Sequence, residues 1–133
     1  MVFQERTTDR GRQFTRREKL RQERLDAYSA YAGALVNYRR CLVHLWFCEH
    51  EQPPPEDPDA VRIRAYDLRS TAQEALFRVQ MLTDDETLSQ AAEDVLADIT
   101  TVSKAESRAE YGALRAQTRD HISRLVSAAK QRL

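Results

Sequence analysis

The sequence predicts an all-α protein, an antiparallel four-helix bundle with a long first helix. Apolar side chains recur at alternating intervals of three and four residues, which is the spacing of a buried helix face. The 133 residues include only three Gly and four Pro, too few turn formers for an all-β fold. A hydrophobic fraction of 41% is sufficient for one core, and the length suits a single domain.

The first helix is predicted to run from Thr15 to Glu51, because this segment contains no proline and carries a continuous apolar seam. Two adjacent aromatic residues, Trp46 and Phe47, follow the seam. Neighbouring positions point about 100° apart on a helix, so both rings can scarcely enter one narrow core. We expect the following set to form the core or the contact with a second copy: Tyr28, Tyr31, Leu35, Tyr38, Leu42, Leu45, Trp46 and Phe47.

The proline-rich connector at residues 51–59 ends the first helix, because proline supplies no amide hydrogen. Asp57 or Asp59 is expected to cap the second helix. The apolar positions of this helix repeat in heptads, which favours long, coiled-coil-like packing. Its predicted seam is Val61, Ala65, Leu68, Ala72, Ala75, Val79 and Leu82.

Thr83, followed three residues later by Glu86, has the order of a capping box and predicts the start of a third helix. The β-branched run at residues 100–103 is expected to end or bend it. A fourth helix follows, from about Lys104 to Lys130. The predicted stripes are Leu88, Ala91, Val95, Ile99 and Val102 on the third helix, and Tyr111, Leu114, Thr118, Ile122, Leu125, Val126 and Ala129 on the fourth.

We expect residues 15–133 to form one domain. Residues 1–14 combine charge with Gly11 and lack an apolar period, so they are predicted to be a flexible basic N-terminal arm. The longest uncharged stretch, Ala27 to Tyr38, has twelve residues, whereas a membrane span needs roughly 20. The N-terminus also lacks the apolar run of a secretory signal. A cytoplasmic protein without a membrane span is expected.

The formal net charge is zero, but the charge is unevenly distributed. Residues 1–40 carry ten basic and five acidic side chains, residues 41–94 four and twelve, and residues 95–133 seven and four. This pattern favours docking of oppositely charged helices within one bundle. Alternatively, cations of the first helix can bind nucleic-acid phosphates, although acidic residues are interleaved with them. We term these cations the basic segment: Arg10, Arg12, Arg16, Arg17, Lys19, Arg21 and Arg24.

Cys41, His44 and Cys48 stand at positions i, i+3 and i+7 of the first helix, and two thiolates with an imidazole suit zinc or copper(I). A fourth ligand is missing from this set. The cysteines also continue a row of small residues with Ala27 and Ala34, so we favour packing as their role. We expect no cofactor, and metal binding is kept as an alternative.

Catalysis is not expected from the sequence. No nucleophile elbow and no glycine-rich phosphate loop occurs. The paired Glu-x-x-His motif of a di-iron bundle is also missing. The adjacent carboxylates, such as Asp84 and Asp85, fall at helix starts or on outward faces, where capping and solvation explain them.

The stretch RREKLRQERLDAYSAYAGALVNYRR and the later stretch RAYDLRSTAQEALFRVQMLTDDETLSQAAEDVLADI resemble a group of uncharacterised actinobacterial helical-bundle proteins. The resemblance lies in the order of parts: a basic first helix, an Arg/Ala-rich second helix, a polar turn and a third helix. It implies a helical bundle over residues 16 to about 130. It implies no established activity, and no functional residue is carried across.

These observations favour a non-enzymatic cytoplasmic protein that acts through protein–protein interaction and self-association. The expected assembly is a homo-oligomer, with a dimer favoured, and a separate protein partner is possible. One alternative is a nucleic-acid-associated accessory factor that uses the basic segment. The other is a metal or redox sensor built on Cys41, His44 and Cys48.

Overall fold

The computed structural model describes the backbone of residues 2–133 and the side chains of residues 8–133. Over this part of the chain it contains four α-helices and no strand, which confirms the all-α fold with a long first helix. The elements are α1 (Val2–His50), α2 (Pro58–Leu82), α3 (Glu86–Thr100), a 3-10 turn (Val102–Lys104) and α4 (Arg108–Lys130).

α1 is longer than predicted, because the helix begins at Val2 and not at Thr15. Its 49 residues span about 73 Å, whereas the 25 residues of α2 span about 38 Å. Every residue from Thr8 to Gln22 is exposed, so this part of α1 projects beyond the bundle. The expected flexibility of residues 1–14 stays a prediction, since Met1 and the side chains up to residue 7 lie outside the described residues.

The other helices assemble around α1. α1 packs against α2, α3, the 3-10 turn and α4, whereas α2 and α4 make no contact with each other in the described residues. Arg24 Nε donates to the Leu82 carbonyl oxygen (2.8 Å) at one end of the bundle. Towards the other end the Cys41 thiol faces the Val61 carbonyl oxygen (3.7 Å). These two contacts fix α1 and α2 as antiparallel neighbours.

α2 begins as the sequence predicts. Asp57 is the N-cap, and its carboxylate accepts a hydrogen bond from the backbone N–H of Asp59 (3.1 Å). Pro58 occupies the first helical position, where its missing N–H has no intrahelical partner to lose. The cap residue is therefore Asp57, and Asp59 lies in the first turn.

The start of α3 differs from the predicted capping box. The N-cap is Asp85, whose carboxylate accepts hydrogen bonds from the backbone N–H of Thr87 (2.8 Å) and of Leu88 (3.1 Å). Thr83 instead ends α2, and its own N–H donates to the Val79 carbonyl oxygen (3.0 Å). Thr83 lies two residues before the actual N-cap, because α2 extends up to Thr83.

The break predicted at residues 100–103 is confirmed, since α3 ends at Thr100 and the 3-10 turn follows. α4 begins at Arg108, later than the predicted Lys104, because the 3-10 turn uses residues 102–104. Ser107 is its N-cap and accepts a hydrogen bond from the N–H of Glu110 (3.1 Å).

The core follows the predicted seams with a few corrections. Leu76 on α2 and Leu96 on α3 are buried, although neither was assigned to a seam. Both line the groove where α2 meets α3, so each helix buries a wider face than one seam. Val126 on α4 was predicted to be buried but is exposed. No helix in the described part of the chain is both long and apolar enough to cross a bilayer.

The α3 cap gives a test of how the bundle ends are held together. Arg132, beyond α4, binds the Asp85 carboxylate. The N–H of Leu88, and then Arg132, lower the pKa of this carboxyl below its usual value. A lowered folded-state pKa contributes stability that is present above the unfolded pKa of about 3.9 and is lost as the pH falls through the folded value.

We therefore expect Asp85→Asn, which keeps the capping oxygen, to lower the melting temperature at pH 7 by a few degrees, about as a lost charge contact does. The difference from the parent should shrink as the pH falls below about 4. Circular dichroism melting curves from pH 7 downwards measure it. Asp120→Asn, at an exposed carboxylate of α4, is the control, and a difference independent of pH would contradict the explanation.

Candidate functional site

The aromatic set predicted on the first helix lies in the core of this chain. Tyr28, Tyr31 and Tyr38 are buried against the other helices together with Leu35, Leu42, Leu45 and Trp46, and Phe47 is half-buried. Their role as a contact between two copies stays a prediction. Within one chain these side chains are covered by the neighbouring helices, so the accessible apolar surface lies elsewhere on the bundle.

Trp46 and Phe47 are both accommodated because helices surround α1 at this level. The Trp46 indole donates to the Ala105 carbonyl oxygen (3.0 Å) and stacks on Tyr111 with ring centres 4.1 Å apart. His50 stacks on its other face at 4.1 Å. Phe47 meets the Tyr111 ring edge-on at 5.4 Å. One cluster on α1 and α4 therefore holds both aromatic residues.

Two tyrosine hydroxyls of α1 form hydrogen bonds with α3. Tyr31 donates to the Ala92 carbonyl oxygen at 2.6 Å, and burial raises the pKa of this phenol. The Tyr38 hydroxyl bonds to the Thr100 hydroxyl at 3.1 Å. Each polar tip is thus satisfied inside the core, where an unpaired hydroxyl is costly. These tyrosines position helices.

The structure does not bring the three candidate metal ligands into one site. His44 Nε2 lies 3.5 Å from the Cys48 sulfur and 3.0 Å from a Glu56 carboxylate oxygen. The Cys41 sulfur turns instead towards the Val61 carbonyl, and burial raises the pKa of its thiol. Residues 8–133 contain no group of three or more His, Cys, Asp or Glu side chains that could hold a metal ion. The metal alternative therefore gains no support.

The basic segment projects from the bundle, apart from its last member. Arg24 is largely buried and binds the Leu82 carbonyl and the Asp84 carboxylate, so it is part of the fold. At 100° per residue, Arg10, Arg17 and Arg21 lie within an arc of about 40° on the same side as Arg24. Arg12, Arg16 and Lys19 lie on the opposite side, where Asp9 and Glu23 are interleaved.

A cleft of about 710 Å³ lies between α1, α2 and the 3-10 turn. Leu42 and Leu45 contribute to its floor. Arg62 at its rim binds Glu49 across the α1–α2 contact (3.3 Å) and also Asp59. The ion pair between Arg62 and Glu49 thus links α2 to α1.

The outer face of α2 carries an apolar surface that the sequence analysis did not identify. Four large side chains there are between 54% and 79% exposed. They belong to the helix face opposite the predicted seam, where Tyr66 also borders the cleft next to α1 and Phe77 the groove next to α3. A signal was present in the sequence, since these residues are apolar yet fit no seam position. We term them the outer strip: Ile63, Tyr66, Phe77 and Met81.

A further apolar groove runs between α1 and the end of α4. Leu25 and Val126 line it and are partly exposed, and Lys130 stands at its edge. Tyr28 also borders this groove, and its hydroxyl has no hydrogen-bond partner within the described residues. The groove and the outer strip lie on different helices of the bundle.

The fold and its surfaces define a helical-bundle protein whose prominent accessible features are apolar and cationic helix faces. The model of the KilB plasmid transfer protein family matches residues 25–133. The chain therefore belongs to the KilB plasmid transfer protein family. No curated protein and no solved structure matches it.

The family match covers the bundle, including all of α2, α3 and α4. It begins one residue after Arg24, so the basic segment precedes the matched region. The family match is compatible with the resemblance to helical-bundle proteins noted in the sequence. That those proteins are actinobacterial stays a prediction.

Proposed function

We propose that this chain is a non-enzymatic accessory protein of plasmid transfer that acts through a protein–protein contact made by the outer strip of α2. The family supports the connection with plasmid transfer. The outer strip is the observation that carries the binding role. It places four large apolar side chains in water on one helix face.

The free energy of hydration favours covering such a surface. Burial of apolar area contributes about 25 cal/mol per Å². A single exposed apolar side chain is common on any protein, whereas an aligned set is typical of an interaction site. Tyr66 and Phe77 are aromatic, a residue class enriched in interface cores.

The polar groups described next connect parts of the bundle to one another, which fits a binding role. Arg39 Nε donates to the Thr118 hydroxyl (3.0 Å) and its terminal nitrogen to the Arg115 carbonyl (2.6 Å), which joins α1 to α4. Glu56 binds both His44 and Arg64, and these two hydrogen bonds, Arg64 first, lower its pKa. These groups hold helices and the connector in place.

We expect a double substitution of Ile63→Ser and Met81→Ser to reduce plasmid transfer at least about tenfold, because two side chains of a protein contact are lost. The measurement is the transfer frequency of a plasmid that encodes the variant and whose transfer requires the chain. Unchanged circular dichroism would show that the bundle still folds.

The matched control is Val36→Ser on α1, which also removes an exposed apolar side chain but lies outside the outer strip. It should leave the transfer frequency near that of the parent. Equal transfer by the double variant and the parent would contradict the proposed role of the strip.

A second candidate function is binding to nucleic acid, and the geometry of the basic segment favours it. Arg10, Arg17 and Arg21 share one side of a projecting helix and have no ion-pair partner among the described residues. They extend over about 17 Å, a length over which a helix can follow several phosphates. Plasmid transfer supplies the nucleic acid that such a surface would contact.

For this function we expect binding to a short DNA duplex that weakens with salt. Replacing Arg10, Arg17 and Arg21 by alanine should make the slope of log K against log salt shallower by about 2 to 3, since each phosphate contact contributes about 0.9. Fluorescence anisotropy measures both quantities. Alanine keeps the helix, because it is the best helix former.

The control removes Arg12, Arg16 and Lys19, the same number of cations on the side that carries acidic residues. It should change the slope by clearly less. If both triple variants behave alike, or if the parent shows no salt-dependent binding, the basic segment does not act as a one-sided phosphate contact.

A further inference from the structure

We propose that the outer strip of α2 pairs with the outer strip of a second copy of this chain, in antiparallel orientation, to form a two-fold symmetric dimer. This inference rests on the proposed function, because it names the partner of the same surface. It follows from the order of exposed residues along α2, which has nearly the same chemistry when read from either end.

The outer strip has the dimensions of a helix–helix contact. From Ile63 to Met81 it extends about 27 Å along α2, and its four side chains fall within an arc of about 60°. Helices pack with their axes about 8–10 Å apart, so two strips facing each other would exclude water along this length. A contact of this size is expected to give a dimer of micromolar affinity.

The apolar residues are placed symmetrically about the middle of α2. Ile63 precedes Ala72 by nine positions, and Met81 follows it by nine. Tyr66 precedes it by six, and Phe77 follows it by five. When a second α2 is reversed about this point, Ile63 faces Met81 of the second copy. Tyr66 then faces Phe77 of the second copy, so every large apolar side chain meets another.

The charged residues beside the strip follow the same symmetry with opposite signs. Asp67 precedes Ala72 by five positions, and Arg78 follows it by six. Both side chains are exposed, and neither has an ion-pair partner in the described residues. In the antiparallel pair Asp67 lies beside Arg78 of the second copy, and the two-fold axis repeats this pair. Near the centre, Ser70 faces Glu74 of the second copy and can donate a hydrogen bond to it.

Charge also selects the direction of pairing. In a parallel, in-register pair Asp67 of one copy and Arg78 of the other would lie about 16 Å apart along the helices, so these two side chains could not pair. The antiparallel arrangement is also isologous, so it closes at two chains.

The test uses charge reversal on the full chain, followed by sedimentation velocity from about 1 µM to about 1 mM, the range over which a weak contact is populated. The parent should dimerise. Asp67→Arg alone and Arg78→Asp alone should each weaken the dimer at least about tenfold, because each variant opposes two like-charge pairs. Within one chain the two residues lie about 16 Å apart along α2, so neither change breaks an internal contact.

The decisive sample is an equimolar mixture of the two single variants. One variant then carries two arginines beside the strip and the other two aspartates, so both cross-chain pairs become attractive. The mixture should dimerise about as well as the parent, and so should the variant with both substitutions. A loss of stability in one variant could not be repaired by mixing, so the rescue is specific to pairing.

A second measurement fixes the register. Ile63→Cys mixed with Met81→Cys should form a disulfide-linked dimer under oxidation, whereas either variant alone should cross-link poorly because its own cysteines lie about 27 Å apart. The natural Cys41 and Cys48 are buried. A parent that stays monomeric up to the highest concentration, or a dimer that charge reversal leaves unchanged, would overturn the proposal.

The outcome is separable from that of the proposed function. If the strip is required for plasmid transfer while the chain is monomeric, the dimer is wrong and the strip binds a different protein. If the charge-reversal mixture dimerises but transfer does not depend on Ile63 and Met81, the dimer stands and the proposed role in transfer fails.

Discussion

The middle of α1, from Ala27 to Cys48, packs against every other helix, and the rest of the structure depends on this burial. Each large apolar side chain buried there contributes about 1.5–3 kcal/mol. Tyr31 and Trp46 add hydrogen bonds from their polar tips to backbone carbonyls on α3 and before α4. α2 and α4 do not contact each other in the described residues, so α1, together with α3, joins them.

This arrangement also determines which surfaces are left open. α2 uses its inner face against α1 and α3, and its opposite face therefore carries Ile63, Tyr66, Phe77 and Met81 into water. α1 exceeds the length that its neighbours cover, so the cations before Arg24 project from the end of the bundle. The bundle belongs to a plasmid transfer family. An apolar strip is suited to a protein partner and a cationic projection to nucleic acid. These are the two partners that the proposed functions assign to them.

Much of the fold could be predicted, because apolar spacing reports directly which side of a helix is buried. Leu35 and Val61 were assigned to the core on that basis and are fully buried. Leu76 was missed because a heptad seam describes contact with one neighbour, while α2 contacts two. The helical stretch before Thr15 has no apolar period, so its extent depended on charged residues whose spacing carries no packing signal. The outer strip was missed because a seam reports only the buried face of α2 and carries no information on apolar residues of the opposite face.

Hydrogen–deuterium exchange of backbone amides tests the central claim most directly. If the middle of α1 holds the bundle together, its amides from Ala27 to Cys48 should exchange most slowly, at a rate set by global unfolding. The projecting residues of the same helix, 8–22, should exchange many times faster because they open locally. Equal protection along all of α1, or faster exchange in its middle than in α3 and α4, would contradict the account.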